Sequence, residues 1–171
     1  MKSVLLLAVS LTTMLFACGQ DDKSKRPSPP VQAKETLASG AVVTIDYGQP
    51  SVKGRTIGKD LEPMPGKVWR TGANEATTFD VSKSVKVEGK DLPAGKYSLF
   101  TIAGDGEWTI IFNKNANQWG AYSYKESEDA LRVKVKPSKA AQFAEKMTFN
   151  IDKNGTVTLL WGDTKVDFKV V

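Results

Sequence analysis

Short runs of β-branched and aromatic residues, cut at close intervals by turn dipeptides, constrain the fold of this chain more than any other feature. Residues 96–102 and 108–112 flank Gly104-Asp105-Gly106, and Asp-Gly supplies the positive backbone φ that tight hairpins require. Residues 147–151 and 156–161 flank Asn154-Gly155 in the same way. Gly162-Asp163 reads as a further turn leading into residues 165–170, which makes the end of the chain a three-stranded meander. Residues 41–47, 67–70, 76–81 and 85–88 are additional strands, and 131–136 alternates apolar and charged residues as a half-buried strand does. Only residues 137–145 have helical character, with Ser138 as N-cap. The expectation is an all-β domain, an antiparallel β-sandwich of about nine strands with one short helix. Trp108 and Trp161 fall within strand patterns and are expected in its core.

The chain ahead of that domain has a different character. Lys2 precedes an apolar run over residues 4–17 that is too short to cross a bilayer core, which needs about 20 residues. The run ends in Leu15-Phe16-Ala17-Cys18, which resembles a bacterial lipobox, although Phe16 is bulkier than that motif usually carries. The resemblance implies a signal peptide over residues 1–17 and acyl chains on Cys18, the anchor to a membrane. Residues 18–34 begin polar and proline-rich and read as a flexible tether, leaving 35–171 as the sandwich domain. Asp21-Asp22 resembles a surface-export signal, so the expected location is the outer membrane, on its periplasmic or surface face.

Several chemistries are excluded by composition. The sequence holds no histidine and one cysteine, so histidine-dependent triads, His or multi-Cys zinc sites and an intramolecular disulfide are all ruled out. There is no phosphate-binding glycine loop. The net charge of +5 is scattered along strands rather than gathered into a patch, which argues against a nucleic-acid partner. No cofactor, metal ligand set or catalytic residue is expected.

The candidate ligand-binding residues gather on loops. Arg55 and Arg70 are two guanidiniums able to grip a carboxylate, phosphate or sulfate in bidentate fashion. Asn74 adds a directed hydrogen bond, and Glu75 orients an arginine or a sugar hydroxyl; alternatively Arg70 and Glu75 pair to close the Thr71-Gly72-Ala73 turn. Trp119 and Tyr122, with Tyr124 and Trp69, form either a stacking platform for a sugar ring or a cap on the open end of the sandwich. Asp46, Glu75 and Asp105 are carboxylates of which no pair is selected by spacing.

Two long motifs link these positions: Pro50-Ser51-Val52-Lys53-Gly54-Arg55-Thr56-Ile57 and Gly66-Lys67-Val68-Trp69-Arg70-Thr71-Gly72-Ala73-Asn74-Glu75-Ala76-Thr77. With Leu92-Pro93-Ala94-Gly95-Lys96-Tyr97-Ser98-Leu99-Phe100-Thr101-Ile102, Asn117-Gln118-Trp119-Gly120-Ala121-Tyr122 and Leu131-Arg132-Val133-Lys134-Val135-Lys136-Pro137, they make the chain resemble the bacterial domain-of-unknown-function family 2911. The resemblance implies a secreted or lipid-anchored protein of Bacteroidetes type and carries over no catalytic residue. The expected function is a lipid-anchored binding or interaction module for a small polar or glycan ligand. The competing expectation is a carboxylate-dependent hydrolase of glycans or another envelope polymer.

Overall fold

The computed structural model describes residues 22–171; the expected signal peptide and Cys18 lie outside the described residues. Eleven strands run through it in chain order: β1 (Pro30–Thr36), β2 (Val42–Gly48), β3 (Val68–Trp69), β4 (Ala73–Val81), β5 (Val85–Val87), β6 (Lys90–Leu92), β7 (Gly95–Ala103), β8 (Trp108–Asn113), β9 (Asp129–Val135), β10 (Ser138–Ile151) and β11 (Thr156–Lys169). The first layer is an antiparallel sheet in the order β1-β2-β4-β7-β8-β9, with β3 continuing the edge of β7 beyond β4. The second layer is the β10–β11 hairpin, and β5–β6 forms a small two-stranded flap. The molecule is an all-β antiparallel sandwich.

Alternation decides which face of the sheet packs. On β2, Val43, Ile45 and Tyr47 point inward while Thr44 and Asp46 point out. Phe79 on β4, Leu99 on β7, Phe112 on β8 and Val133 on β9 continue the inner face and meet Leu159, Trp161, Val166 and Phe168 of β11. Phe79 has no exposed surface and meets Phe112 edge-on at 5.0 Å, with Phe168 at 6.4 Å. Trp108 and Trp161 are both buried, as their strand positions predict.

The structure corrects three features of the sequence reading. Residues 137–145 are not a helix: β10 starts at Ser138 and pairs there with Lys165 of β11. The same pairing removes the expected Gly162-Asp163 turn, since β11 passes straight through it. Gly162, at φ +58°, sits opposite Ala144 where the ladder shifts register and β10 carries the extra residues, so the glycine lies within a strand facing a bulge instead of in a hairpin. A helix of nine residues is marginal on its own, whereas the second half of β11 offers that segment a row of backbone partners. The tether is also shorter than expected, because Pro30–Thr36 forms β1 on the sheet edge beside β2.

The outer face of the sheet carries a polar row. Register places Gln32, Asp46, Thr78, Ser98, Asn113 and Asp129 side by side across six strands. Residues 114–128 fold back over one end of this row. Ser98 donates to the Asn115 carbonyl at 2.7 Å, and the Asn113 amide donates to the Lys125 carbonyl and to Asp129. Asp129 also accepts from Tyr124 and Arg132 at 2.7 Å each, and burial together with this carboxylate pushes the Tyr124 phenol up to about 12. The covered end is sealed by a second small core of Ala76, Phe100 and Ile111. The other end of the row stays open.

Candidate functional site

That open end is a cleft of about 490 Å³ on the outer face of β2, β4 and β7. Its floor includes Asp46, Thr78 and Lys96, one side is formed by Asn117 and Gln118, and the rim by Asn74, Glu75, Lys23 and Arg26. The bridge between Glu75 and Trp119 ties the 114–128 segment to the start of β4, with Ala76 donating to the Gln118 carbonyl and Gly120 to that of Asn74. Gly48 makes the close approach of β2 to β4 possible: a Cβ there would stand 2.2 Å from the Ala73 carbonyl oxygen.

Carboxylates and cations are paired around the cleft. Asp46 accepts from the Gln32 amide at 2.7 Å and faces the Lys96 ammonium at 3.6 Å. Glu75 receives Lys23 at 2.8 Å, and one Arg26 nitrogen lies 3.1 and 3.2 Å from its two oxygens. The Lys23 hydrogen bond is the main reason the Glu75 carboxyl titrates at about 2, well below its ordinary 4.5. Arg26 also lies over the Trp119 ring at 6.0 Å, and Asn74 donates to the Ser28 carbonyl at 2.9 Å. Residues 22–29 are therefore a strap along the rim of the cleft, held at Lys23, Arg26 and Ser28.

Two atoms in the wall of this cleft lack a partner. Thr78 Oγ1 and Gln118 Oε1 are buried with no hydrogen-bond partner among the described residues, although the Gln118 amide nitrogen donates to the Asn115 carbonyl at 2.7 Å. Leaving such an atom unsatisfied costs about 1–3 kcal/mol.

The residues singled out by sequence separate into two groups. Asn74 and Glu75 line the cleft, with Trp119 at its edge, half exposed. Arg55, Trp69, Arg70 and Tyr122 border smaller depressions around the 51–72 loop. Arg70 does not face Glu75: its nitrogens donate to the Gly72 and Asn74 carbonyls at 3.3 and 3.4 Å. Arg55 holds the Ser51 and Val52 carbonyls. Trp69 is 2% exposed and bonds the Gly72 carbonyl, so it is a core residue and not a stacking platform. Tyr122 is open to solvent. Sequence reasoning missed Thr78 and Lys96, whose signal was their place on the outward phase of adjacent strands, and it missed the strap residues Lys23 and Arg26.

The family model described as Protein of unknown function (DUF2911) matches residues 28–170. The chain belongs to this family. No curated protein and no solved structure matches it. The match begins at Ser28, so the DUF2911 region takes in β1 and the whole sandwich, while Lys23 and Arg26 precede it.

The strap of this DUF2911 protein makes its docking dependent on pH. Because the Glu75 pKa is lowered in the folded state, its contribution is complete above about pH 4.5 and is lost as pH falls through about 2. The protection of residues 23–28 against hydrogen exchange, relative to the intrinsic rate at each pH, is expected to hold at pH 4 and to fall toward pH 2. Full release already at pH 4.5 would show that Glu75 does not hold the strap. The pair is largely exposed, so each contact is worth about 0–1 kcal/mol and added salt is expected to weaken docking.

Proposed function

We infer that this protein is a non-catalytic binding module of the bacterial cell envelope, anchored in the outer membrane by lipid on Cys18, whose cleft takes a small polyhydroxylated ligand such as a glycan unit. The anchor rests on the short apolar run and the Leu15-Phe16-Ala17-Cys18 ending. The binding reading is carried by the unpartnered Thr78 Oγ1 and Gln118 Oε1 in the cleft wall. A sugar suits this wall because vicinal hydroxyls both donate and accept. Asp46, Asn74, Glu75 and Asn117 add acceptors and amides around the same space. Ligand entry requires a small adjustment of the wall to uncover the two atoms.

Thr78→Val tests this directly, since valine keeps the shape and removes the hydroxyl. The variant is expected to be as stable as the parent or more stable, by up to about 1 kcal/mol, and to bind its saccharide roughly tenfold more weakly. Calorimetry against a panel of neutral and amino-sugar mono- and disaccharides, with thermal melts, reads both. A destabilised variant with unchanged binding would make Thr78 a structural residue only.

One observation favours a second reading, hydrolysis of a glycan by two carboxylates: Asp46 and Glu75 line the same cleft. Glu75 is ionised at neutral pH and is thus barred from the role of general acid, which would fall to Asp46. Both Asp46 oxygens are already engaged, by Gln32 and Lys96. Reducing ends released from the saccharide panel by the parent and not by Asp46→Asn would establish that reading in place of the first.

A further inference from the structure

The strap fixes where the chain leaves the fold. Lys23 is held on Glu75 and the Ser28 carbonyl on Asn74, so the segment before Asp22 starts beside the end of the sandwich that carries the 51–72 loop. Three residues separate Cys18 from Asp22, and the four steps between them span at most about 14 Å. A bilayer holding acyl chains on Cys18 must then lie within that distance of the strap.

The same end has the surface chemistry of a membrane contact. Three depressions adjoin there, one sharing Glu62, Trp69 and Arg70 with the next, which shares Arg55 and Trp161 with the third, and so form one continuous surface. Among the described residues four large hydrophobic side chains are mostly exposed: Tyr122 and Phe143 line this surface, and Trp119 stands by the strap, with Arg26 over its ring. The fourth, Val171, is the last residue and borders a different depression. Trp and Tyr favour the headgroup level of a bilayer, where an apolar ring and a polar tip are both accommodated.

The charge is complementary as well. Arg55 and Arg70 line one depression of about 170 Å³, and neither is ion-paired with a carboxylate among the described residues. Glu62 borders that depression too, but one of its oxygens accepts from the Met64 amide at 2.6 Å. Residues 51–67 carry Lys53, Arg55, Lys59 and Lys67 against Asp60 and Glu62. Guanidiniums held by backbone carbonyls keep nitrogens free to meet a phosphate.

We propose that the end of the sandwich bearing Arg55, Arg70, Trp119, Tyr122 and Phe143 lies against the anionic bilayer in which Cys18 is anchored, with the rings at headgroup level and the two guanidiniums on lipid phosphates. This rests on the lipid anchoring of Cys18 inferred above. It assigns a role to Arg55, Arg70 and Tyr122 that the cleft does not use. It also sets the cleft mouth, at the strap, close to the membrane plane.

The acylated mature chain, reconstituted into phosphatidylethanolamine and phosphatidylglycerol vesicles that include a brominated phospholipid, reads the contact by tryptophan quenching. Trp69, Trp108 and Trp161 are buried and Trp119 alone is exposed, so quenching by the bromine reports on Trp119. The expected result is clear quenching in the parent and its loss in Trp119→Phe, an exposed substitution that leaves the fold intact. Replacing phosphatidylglycerol with phosphatidylcholine is expected to reduce quenching at least twofold; undiminished quenching would overturn the role of the guanidiniums. Protein that floats with the vesicles but shows no Trp119 quenching would overturn the orientation and leave the anchor standing. Protein that fails to float would overturn the anchor, and the orientation with it.

Discussion

Trp161→Ala is expected to lower the free energy of unfolding by about 3–5 kcal/mol. The indole is 1% exposed on β11 and belongs to the core between the two layers. It also acts as a pin, because its Nε1 donates to the Glu62 carbonyl at 2.8 Å and so ties the long 51–67 loop to the second layer. Alanine removes both the packing and the pin. Trp161→Phe separates the two effects, keeping most of the ring volume while losing the hydrogen bond, at a cost of about 1–3 kcal/mol. Chemical denaturation measures the two losses, and hydrogen exchange over residues 57–66 is expected to rise in both variants. If the phenylalanine variant leaves exchange in the loop unchanged, packing alone holds that loop in place.

Gly48→Ala is the second large effect. An added Cβ would stand 2.2 Å from the Ala73 carbonyl oxygen and 3.0 Å from its carbon. These are backbone atoms of the neighbouring strand and cannot rotate away, so β2 and β4 must part where their register already shifts. The expected loss is about 3 kcal/mol, at the upper end of the usual cost of overpacking. Because the Asn74 amide is 3.3 Å from the same point, the distortion reaches the strap as well as the strand. Thermal melts should show the loss, and hydrogen exchange should show residues 23–28 released under conditions in which the parent keeps them protected. A variant of parental stability would mean that the β2–β4 contact is looser than described.

The outline of the sandwich was legible in the sequence because alternation and turn chemistry are local signals. Residues 96–112 show both at once, and β7 and β8 pair there as expected, Ala103 opposite Trp108. What failed to show was anything decided by pairing. Residues 138–145 carry good helix formers, yet the free edge of β11 claims them, and that choice makes Gly162-Asp163 part of a strand instead of a turn. Lys90–Leu92 reads as turn in isolation and becomes a strand only beside Val85–Val87.

The candidate site was half legible for the same reason. Asn74 and Glu75 stood out as polar residues next to glycines, and they do border the cleft. Thr78 and Lys96 look like ordinary outward positions until register sets them near Asp46. The partner of Glu75 was out of reach altogether. A strap of Lys, Arg, Ser and Pro has no periodicity, and only the folded chain shows Lys23 and Arg26 converging on a carboxylate some 50 residues away in sequence. The alternative pairing of Arg70 with Glu75 yielded to a nearer demand, the Gly72 and Asn74 carbonyls of a tight loop.

The most direct test of the binding account is a titration of ¹⁵N-labelled protein with the saccharide panel, followed by amide chemical shifts. At least one sugar, at millimolar concentration, is expected to move the amides of Asn74, Glu75, Thr78, Asn117 and Gln118 and the Gln118 side-chain amide, while the amides of β10 and β11 stay in place. Shifts confined to another face, or none from any sugar of the panel, would contradict it.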